Sequence, residues 1–293
     1  MSPSGAYFAS HLRYEICVRN RAYAFENRLT HVRSRASLPV IVYQPDEVRH
    51  GNFLDETYAA ILCNPDWRKR LEKIHAQART SLPKNYRRWK ELDSCTSSDA
   101  LLMNVFCYPG VLENTRVLSL LGVDCDTEVK FGFKARVPLI TGLFDRTEVD
   151  LKLGDLLIEA KLTESDFQTK VAEVVRGYRD LKAVFDVRSL PMAKGKYLSY
   201  QLIRNVLSAR ANACSFCVLL DQRRPDLIEQ WYAVMRCVRI ADLRLRCKVL
   251  TWQEMSEALP ERLRGFLDCK YGVVPPGQSP SRSFSTKDFG TED

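Results

Sequence analysis

The chain has 293 residues, 45% of them hydrophobic and 27% charged, with a formal net charge of +8. That is the composition of an ordinary globular protein, long enough for one large domain or two small ones. No stretch approaches the roughly 18 consecutive apolar residues of a membrane span. The opening Met-Ser-Pro-Ser-Gly-Ala-Tyr has no basic segment leading into an apolar one, so a secreted protein is not expected either.

The ten cysteines are scattered, mostly inside apolar runs, where a thiol behaves as a small hydrophobe. A reduced, cytoplasmic setting is expected. Cys214 and Cys217 form a Cys-x-x-Cys, but no second pair completes a tetrahedral zinc site.

Residues 1–36 mix Arg with Tyr, Phe and Leu at loosely helical spacing. Val40 to Tyr43 is a short β-branched run ended by Pro45. Tyr58 to Cys63 reads as helix, and Asn64-Pro65-Asp66 starts the next one, since Pro suits a first turn. From Trp67 to Lys90 nine basic residues accompany one acid, Glu72, with Trp67, Tyr86 and Trp89 among them. Basic residues interleaved with aromatics suit a nucleic-acid surface, and Arg87, Arg88 and Lys90 are expected to contact phosphate. The plainer alternative is a helix whose aromatics turn inward and whose lysines are solvated. Residues 1–93 together hold 16 Lys and Arg against 10 Asp and Glu. They read as a basic, mainly helical segment suited to a polyanion such as DNA or RNA.

Ser94 to Ser98 supply capping residues for a buried helix, Asp99 to Cys107. Pro109-Gly110 breaks it, and Val111 to Leu121 is a second helical piece closed by Gly122. Thr127 to Pro138 alternates as a strand. Beyond the hairpin described next, Asp166 to Phe185 repeats apolar residues near the 3.6 period of a helix. Tyr197 to Ala211 is another helix, with Gln201, Arg204, Asn205 and Ser208 on its polar side. Ser215 to Leu220 is a wholly apolar strand. Pro225 to Cys237 reads as helix, Cys247 to Trp252 as strand and Glu254 to Phe266 as helix. Pro, Gly and Ser dominate from Pro275 onward, so residues 275–293 are expected to be a disordered tail.

Glu148 to Thr163 reads as a β-hairpin. Gly154-Asp155 lies between two apolar runs and suits a two-residue II′ turn. Folding there sets Leu153 opposite Leu156, Leu151 opposite Ile158 and Asp150 opposite Glu159. Alternation then gives one wholly apolar face and a second face bearing Glu148, Asp150, Lys152, Leu157, Glu159 and Lys161. Directly opposite residues have Cβ atoms roughly 4.5–5.5 Å apart. Carboxylates that close repel unless a positive charge intervenes. A hard divalent cation such as Mg²⁺ is the natural candidate. A solvated Glu–Lys–Asp salt-bridge ladder is the plain alternative.

Asp150, followed after eight residues by Glu159-Ala160-Lys161, resembles the active-site signature of the PD-(D/E)XK nuclease superfamily. The element order over Asp99 to Leu220 is similar to that superfamily's core of helix, antiparallel meander, helix and closing strand, with one extra helix. The whole chain looks like an uncharacterised bacterial branch of it. Gly51-Asn52-Phe53-Leu54, Ser97-Ser98-Asp99-Ala100, Asp145 to Lys161 and Tyr200 to Asn205 carry that likeness.

The resemblance implies an α/β (α+β) fold: a restriction-endonuclease-like core over 94–274, with a mixed central sheet flanked by helices, and residues 1–93 as a helical addition. It implies a metal-dependent nuclease acting on DNA ahead of RNA, with Mg²⁺ or alternatively Mn²⁺. Asp150, Glu159 and the carbonyl of Ala160 would hold the metal. Lys161 would orient the attacking water, and Gln201 and Arg204 would contact the scissile strand. A homodimer is compatible with this. Many superfamily members carry a glutamate on the first core helix; here Asp99 either replaces it or serves the helix dipole. The rival reading is a non-catalytic nucleic-acid-binding protein that retains the fold, although bare carboxylates would repel phosphate.

Overall fold

A computed structural model describes residues 5–34, 40–74 and 90–282. The chain divides into two compact units. One holds residues 115–252 with the first nine residues; the other holds 10–114 and 253–293. This differs from the expected boundaries at 93 and 274.

The first unit is built on a five-stranded mixed sheet. Its strands are β1 (Val129–Lys134), β2 (Glu148–Leu153), β3 (Leu156–Ala160), β4 (Ser215–Leu220) and β5 (Cys247–Thr251), in the spatial order β5-β4-β3-β2-β1. β1, β2 and β3 form an antiparallel meander, and β3, β4 and β5 run parallel. The mixed sheet flanked by helices is the architecture the sequence implied.

The hairpin forms in the expected register, with Leu153 opposite Leu156 and Leu151 opposite Ile158. Gly154 at its turn has φ +51°, and a Cβ there would lie 3.1 Å from the Thr127 side chain. The positive φ favours glycine, and a side chain there would also crowd Thr127. β3 is buried on both faces. Leu156, Ile158 and Ala160 face one layer, and the helix Tyr200–Ala211 covers the face that bears Leu157 and Glu159. The solvated-ladder reading of that second face does not hold.

Three helix expectations change. The 3.6 period over 166–185 does not become one helix. It breaks into the strand Lys170–Val171, the helix Ala172–Arg176 and the short helix Leu181–Val184. Between the helices the backbone is drawn off to pair elsewhere: Ile140 N donates to Gly177 O at 2.9 Å and Arg179 N to Pro138 O at 3.1 Å. Glu254 to Phe266 is two helices, Trp252–Ala258 and Glu261–Tyr271, because Pro260 lacks the N–H that would continue the first. Val111 to Leu121 begins as a 3₁₀ turn, with the α-helix only over Thr115–Leu121.

In the second unit, the antiparallel pair His31–Arg33 and Ile41–Tyr43 accompanies the helices Asp55–Cys63, Pro65–Arg70 and Ser98–Phe106. Asn64 caps the second of these, its side chain accepting from Asp66 N and Trp67 N. The buried Asn52 ties distant segments together. Its Nδ2 donates to Leu92 O and Ser94 O, while its own carbonyl accepts from Asn104 Nδ2 and its Oδ1 from Lys270 Nζ. These bonds bring 94–114 and 253–274 into the unit that begins at residue 10. Residues 275–282 are held as well: Ser281 N donates to the Asp268 carboxylate and Arg282 O accepts from Arg19. The expected disordered tail therefore does not begin at 275; residues 283–293 lie outside those described. Among the described residues no helix is long and apolar enough to cross a membrane.

Candidate active site

β2 and β3 bring Asp150 and Glu159 to adjacent positions one step past the last hairpin pair. There a side chain replaces a backbone rung, as Ala160 N donates to Asp150 Oδ2 at 2.8 Å. The register that pairs Phe131 with Leu151 and Phe133 with Val149 puts Gly132 of β1 opposite Asp150. Gly132 itself adds no side chain beside the carboxylate.

Glu159 is only 2% exposed and carries three side-chain donors. Lys161 Nζ and Gln201 Nε2 each reach Oε1 at 2.8 Å, and Asn205 Nδ2 reaches Oε2 at 2.8 Å. Gln201 and Asn205 are four apart on one helix, so they lie on one face and can straddle one carboxylate. A buried carboxylate is stable only when its lone pairs find such partners. Of the two lone pairs on each oxygen, those of Oε1 are taken, and one on Oε2 remains.

Lys161 is buried, with its ammonium also 5.7 Å from the Phe167 ring centroid. Burial opposes its charge, but the carboxylates of Glu159, Glu164 and Asp150 outweigh that and raise its pKa above the ordinary lysine value. It is a fixed cation, suited to orienting and stabilising charge and unsuited to accepting a proton at neutral pH. Its backbone is held too, with Lys161 N on Leu219 O and Trp252 Nε1 on Lys161 O.

Sequence reasoning missed Glu164. It lies in the loop after β3, where the buried Arg224 donates to Leu162 O, Glu164 O and Ser165 O. Nothing local marks it, because the residue that fixes the loop is sixty positions away. Asn205 was read only as part of a polar helix face. Its four-residue spacing from Gln201 is the signal that was available.

Arg204 lies elsewhere than expected. It is 2% exposed, and its guanidinium donates to Thr147 O, Glu148 O and Asn205 Oδ1, with Nε 3.6 Å from Asp145. It fastens the entry to β2 and is not presented to a phosphate. Asp145 also accepts from Tyr178 Oη, which meets Tyr200 Oη at 2.7 Å. Burial works against the Asp145 charge, but bonds from Thr147 and Tyr178 prevail and hold its carboxyl below the usual range. Asp99 belongs to the second unit, paired at 2.7 Å with Arg70 and at 2.9 Å with Lys73, so that ion pairing occupies the residue considered as a further metal ligand. Arg87 and Arg88 lie outside the described residues. Lys90 is paired with Glu72 at 2.8 Å.

The donor set at β2 and β3 fits a hard divalent cation. Its ligand atoms are oxygens, and the amide oxygen of Gln201 is buried with no hydrogen-bond partner. Among the described residues no group of three or more His, Cys, Asp or Glu side chains is gathered for a metal. A cation here would use two protein carboxylates and complete its shell from water and substrate, as Mg²⁺ commonly does.

A mixed sheet whose meander runs into parallel strands, with two carboxylates and a lysine at its centre, is of the restriction-endonuclease-like class. The particular family is that described as restriction endonuclease associating with ARP. Its model matches residues 26–272, and the chain belongs to it. No curated protein and no solved structure matches the chain.

Proposed function

We propose that this protein is a metal-dependent nuclease that hydrolyses phosphodiester bonds of DNA, of the PD-(D/E)XK type. The observation that carries this is Glu159, a buried carboxylate shared by Lys161, Gln201 and Asn205 and set beside Asp150. A structural role does not require such an arrangement, since replacing buried ions with well-packed apolar residues is often neutral or stabilising. The family's description as a restriction endonuclease supports the same reading.

Asp150, Glu159 and the carbonyl of Ala160 would hold Mg²⁺ or Mn²⁺. Bound there, the cation supplies a lowered pKa for a water and neutralises charge building on the phosphate. Lys161 contributes a permanent positive charge beside the scissile phosphate, stabilising negative charge as it develops. Gln201 and Asn205 hold Glu159 in one orientation, so little reorganisation is needed when substrate arrives. Arg204 holds the backbone that leads into Asp150.

The test is a cleavage assay on plasmid, linear and single-stranded DNA and on RNA, with Mg²⁺, with Mn²⁺ and with chelator. Cleavage of DNA that requires a divalent cation and disappears in Asp150→Ala is expected. A wild-type rate from Asp150→Ala would remove the reaction from this site.

A further inference from the structure

The segment leading into the site carries a feature that Glu159 and its partners do not explain. Val137–Pro138 pairs with Phe144–Asp145, making a small hairpin whose tip runs from Leu139 to Leu143. Ile140 and Leu143 are each 68% exposed and Phe144 40%. Large apolar side chains clustered at a tip mark a binding surface more often than a solvent-facing turn. The hairpin is held firmly. Its first strand and tip are bonded through backbone, Pro138 O to Arg179 N and Ile140 N to Gly177 O, and Asp145 at its base is gripped by Tyr178 and Arg204.

The surroundings of this tip are basic. Residues 134–146 and 170–197 hold ten Lys and Arg against four Asp and Glu, and all ten basic side chains are exposed. Arg136 stacks over the Phe144 ring at 4.3 Å. The sequence places the basic surface in residues 67–90, where basic residues exceed acids by eight; this second concentration carries an excess of six and adjoins the carboxylate strand directly. An apolar point within a cationic rim is the chemistry of a nucleic-acid wedge: side chains such as Phe, Leu and Ile enter a base step while Arg and Lys hold phosphates. An interface with another protein would have its charged residues depleted from the patch core and mixed in sign at the rim.

We propose that the hairpin tip, through Ile140, Leu143 and Phe144, inserts into a base step of duplex DNA beside the site of cleavage. This rests on the nuclease reading above and adds the manner of substrate engagement. Phe144 lies six positions before Asp150, at most about 20 Å at strand rise, so the unstacked step lies within about six base pairs of the scissile phosphate.

The full-length protein is titrated in EDTA with a set of duplexes carrying 2-aminopurine at successive positions. Wild type should raise the fluorescence at one or two positions. The double variant Ile140→Ser, Leu143→Ser should lose that rise and bind about tenfold weaker, with its salt slope unchanged. Both residues are largely exposed, so the variant should melt with the wild type. Replacing Arg136 and Arg176 with Ala should lower the log–log salt slope by about 0.9 for each phosphate released. A tip variant that keeps both affinity and fluorescence rise overturns the wedge. So does one whose only change is in oligomeric state by sedimentation, which would assign the tip to a protein partner. Cleavage is measured separately. A fluorescence rise without cleavage under any divalent cation would leave the wedge and remove the nuclease; cleavage without a rise would do the reverse.

Discussion

Asn205 Nδ2 donates to Glu159 Oε2 across 2.8 Å, joining the buried side of a helix to the centre of the sheet. Both residues are essentially inaccessible to solvent. Asn205→Leu should leave one carboxylate oxygen without a partner and cost about 1–3 kcal/mol in stability. Cleavage should fall with it, because Glu159 is then free to turn. Chemical denaturation and a Mg²⁺ titration on the same preparation check both effects. Unchanged metal affinity with unchanged stability would show that the amide is incidental.

Lys161 gives a sharper test. An exposed salt-bridge ladder would contribute about 0–1 kcal/mol. A buried pair broken from one side costs about 3–5 kcal/mol, since the carboxylates are left without their cation. Lys161→Met should therefore lower stability appreciably and reduce cleavage by about 10²–10⁴. Metal can offset part of the stability loss, so melting is compared with and without Mg²⁺. Cleavage at the wild-type rate would exclude this lysine from the reaction.

Arg204 separates two roles by salt dependence. A phosphate contact contributes about 0.9 to the slope of DNA binding against salt, whereas a buried strut contributes nothing. Arg204→Lys cannot reproduce the guanidinium fork on Thr147 O and Glu148 O. It should lower the melting temperature and the cleavage rate while leaving the salt slope as it is. A slope reduced by about one unit would return Arg204 to the DNA surface.

Lys270 offers a pH signature in the second unit. It is fully buried, bonded to Gly51 O and Asn52 Oδ1, and its Nζ lies 4.3 Å from the Tyr43 ring centroid. Burial drives its pKa well below 10.5. Between the folded value and the unfolded value of about 10.4, the unfolded chain holds the extra proton, so this group makes stability rise with pH by up to about 1.4 kcal/mol per unit. Urea unfolding at a series of pH values approaching 10 from below should show wild type gaining on Lys270→Met as pH rises through the window between the folded and unfolded values. Parallel curves would mean the amine stays charged inside the fold. Buried Tyr43 and Tyr271 titrate high in the fold, so pH values near the unfolded tyrosine pKa are avoided.

The sequence by itself determined the hairpin and what it carries. Gly154-Asp155 sets the turn, strict alternation sets the faces, and together they place Asp150 beside Glu159 with Lys161 on the same side. Those are short-range constraints, complete within sixteen residues. The apolar run Ser215 to Leu220 likewise could only be an interior strand. Tertiary structure decided the rest. The polar side of Tyr200–Ala211 has the spacing of a solvent-facing stripe, and nothing local shows that it is buried against a carboxylate. Arg204 and Arg224 have the same difficulty, since their partners are backbone carbonyls about sixty residues away. The helical period over 166–185 was real, but pairing of Pro138 and Ile140 with the segment around Gly177 outweighed it. Long-range hydrogen bonds of this kind leave no mark on nearby spacing, so they appear only when the chain is folded.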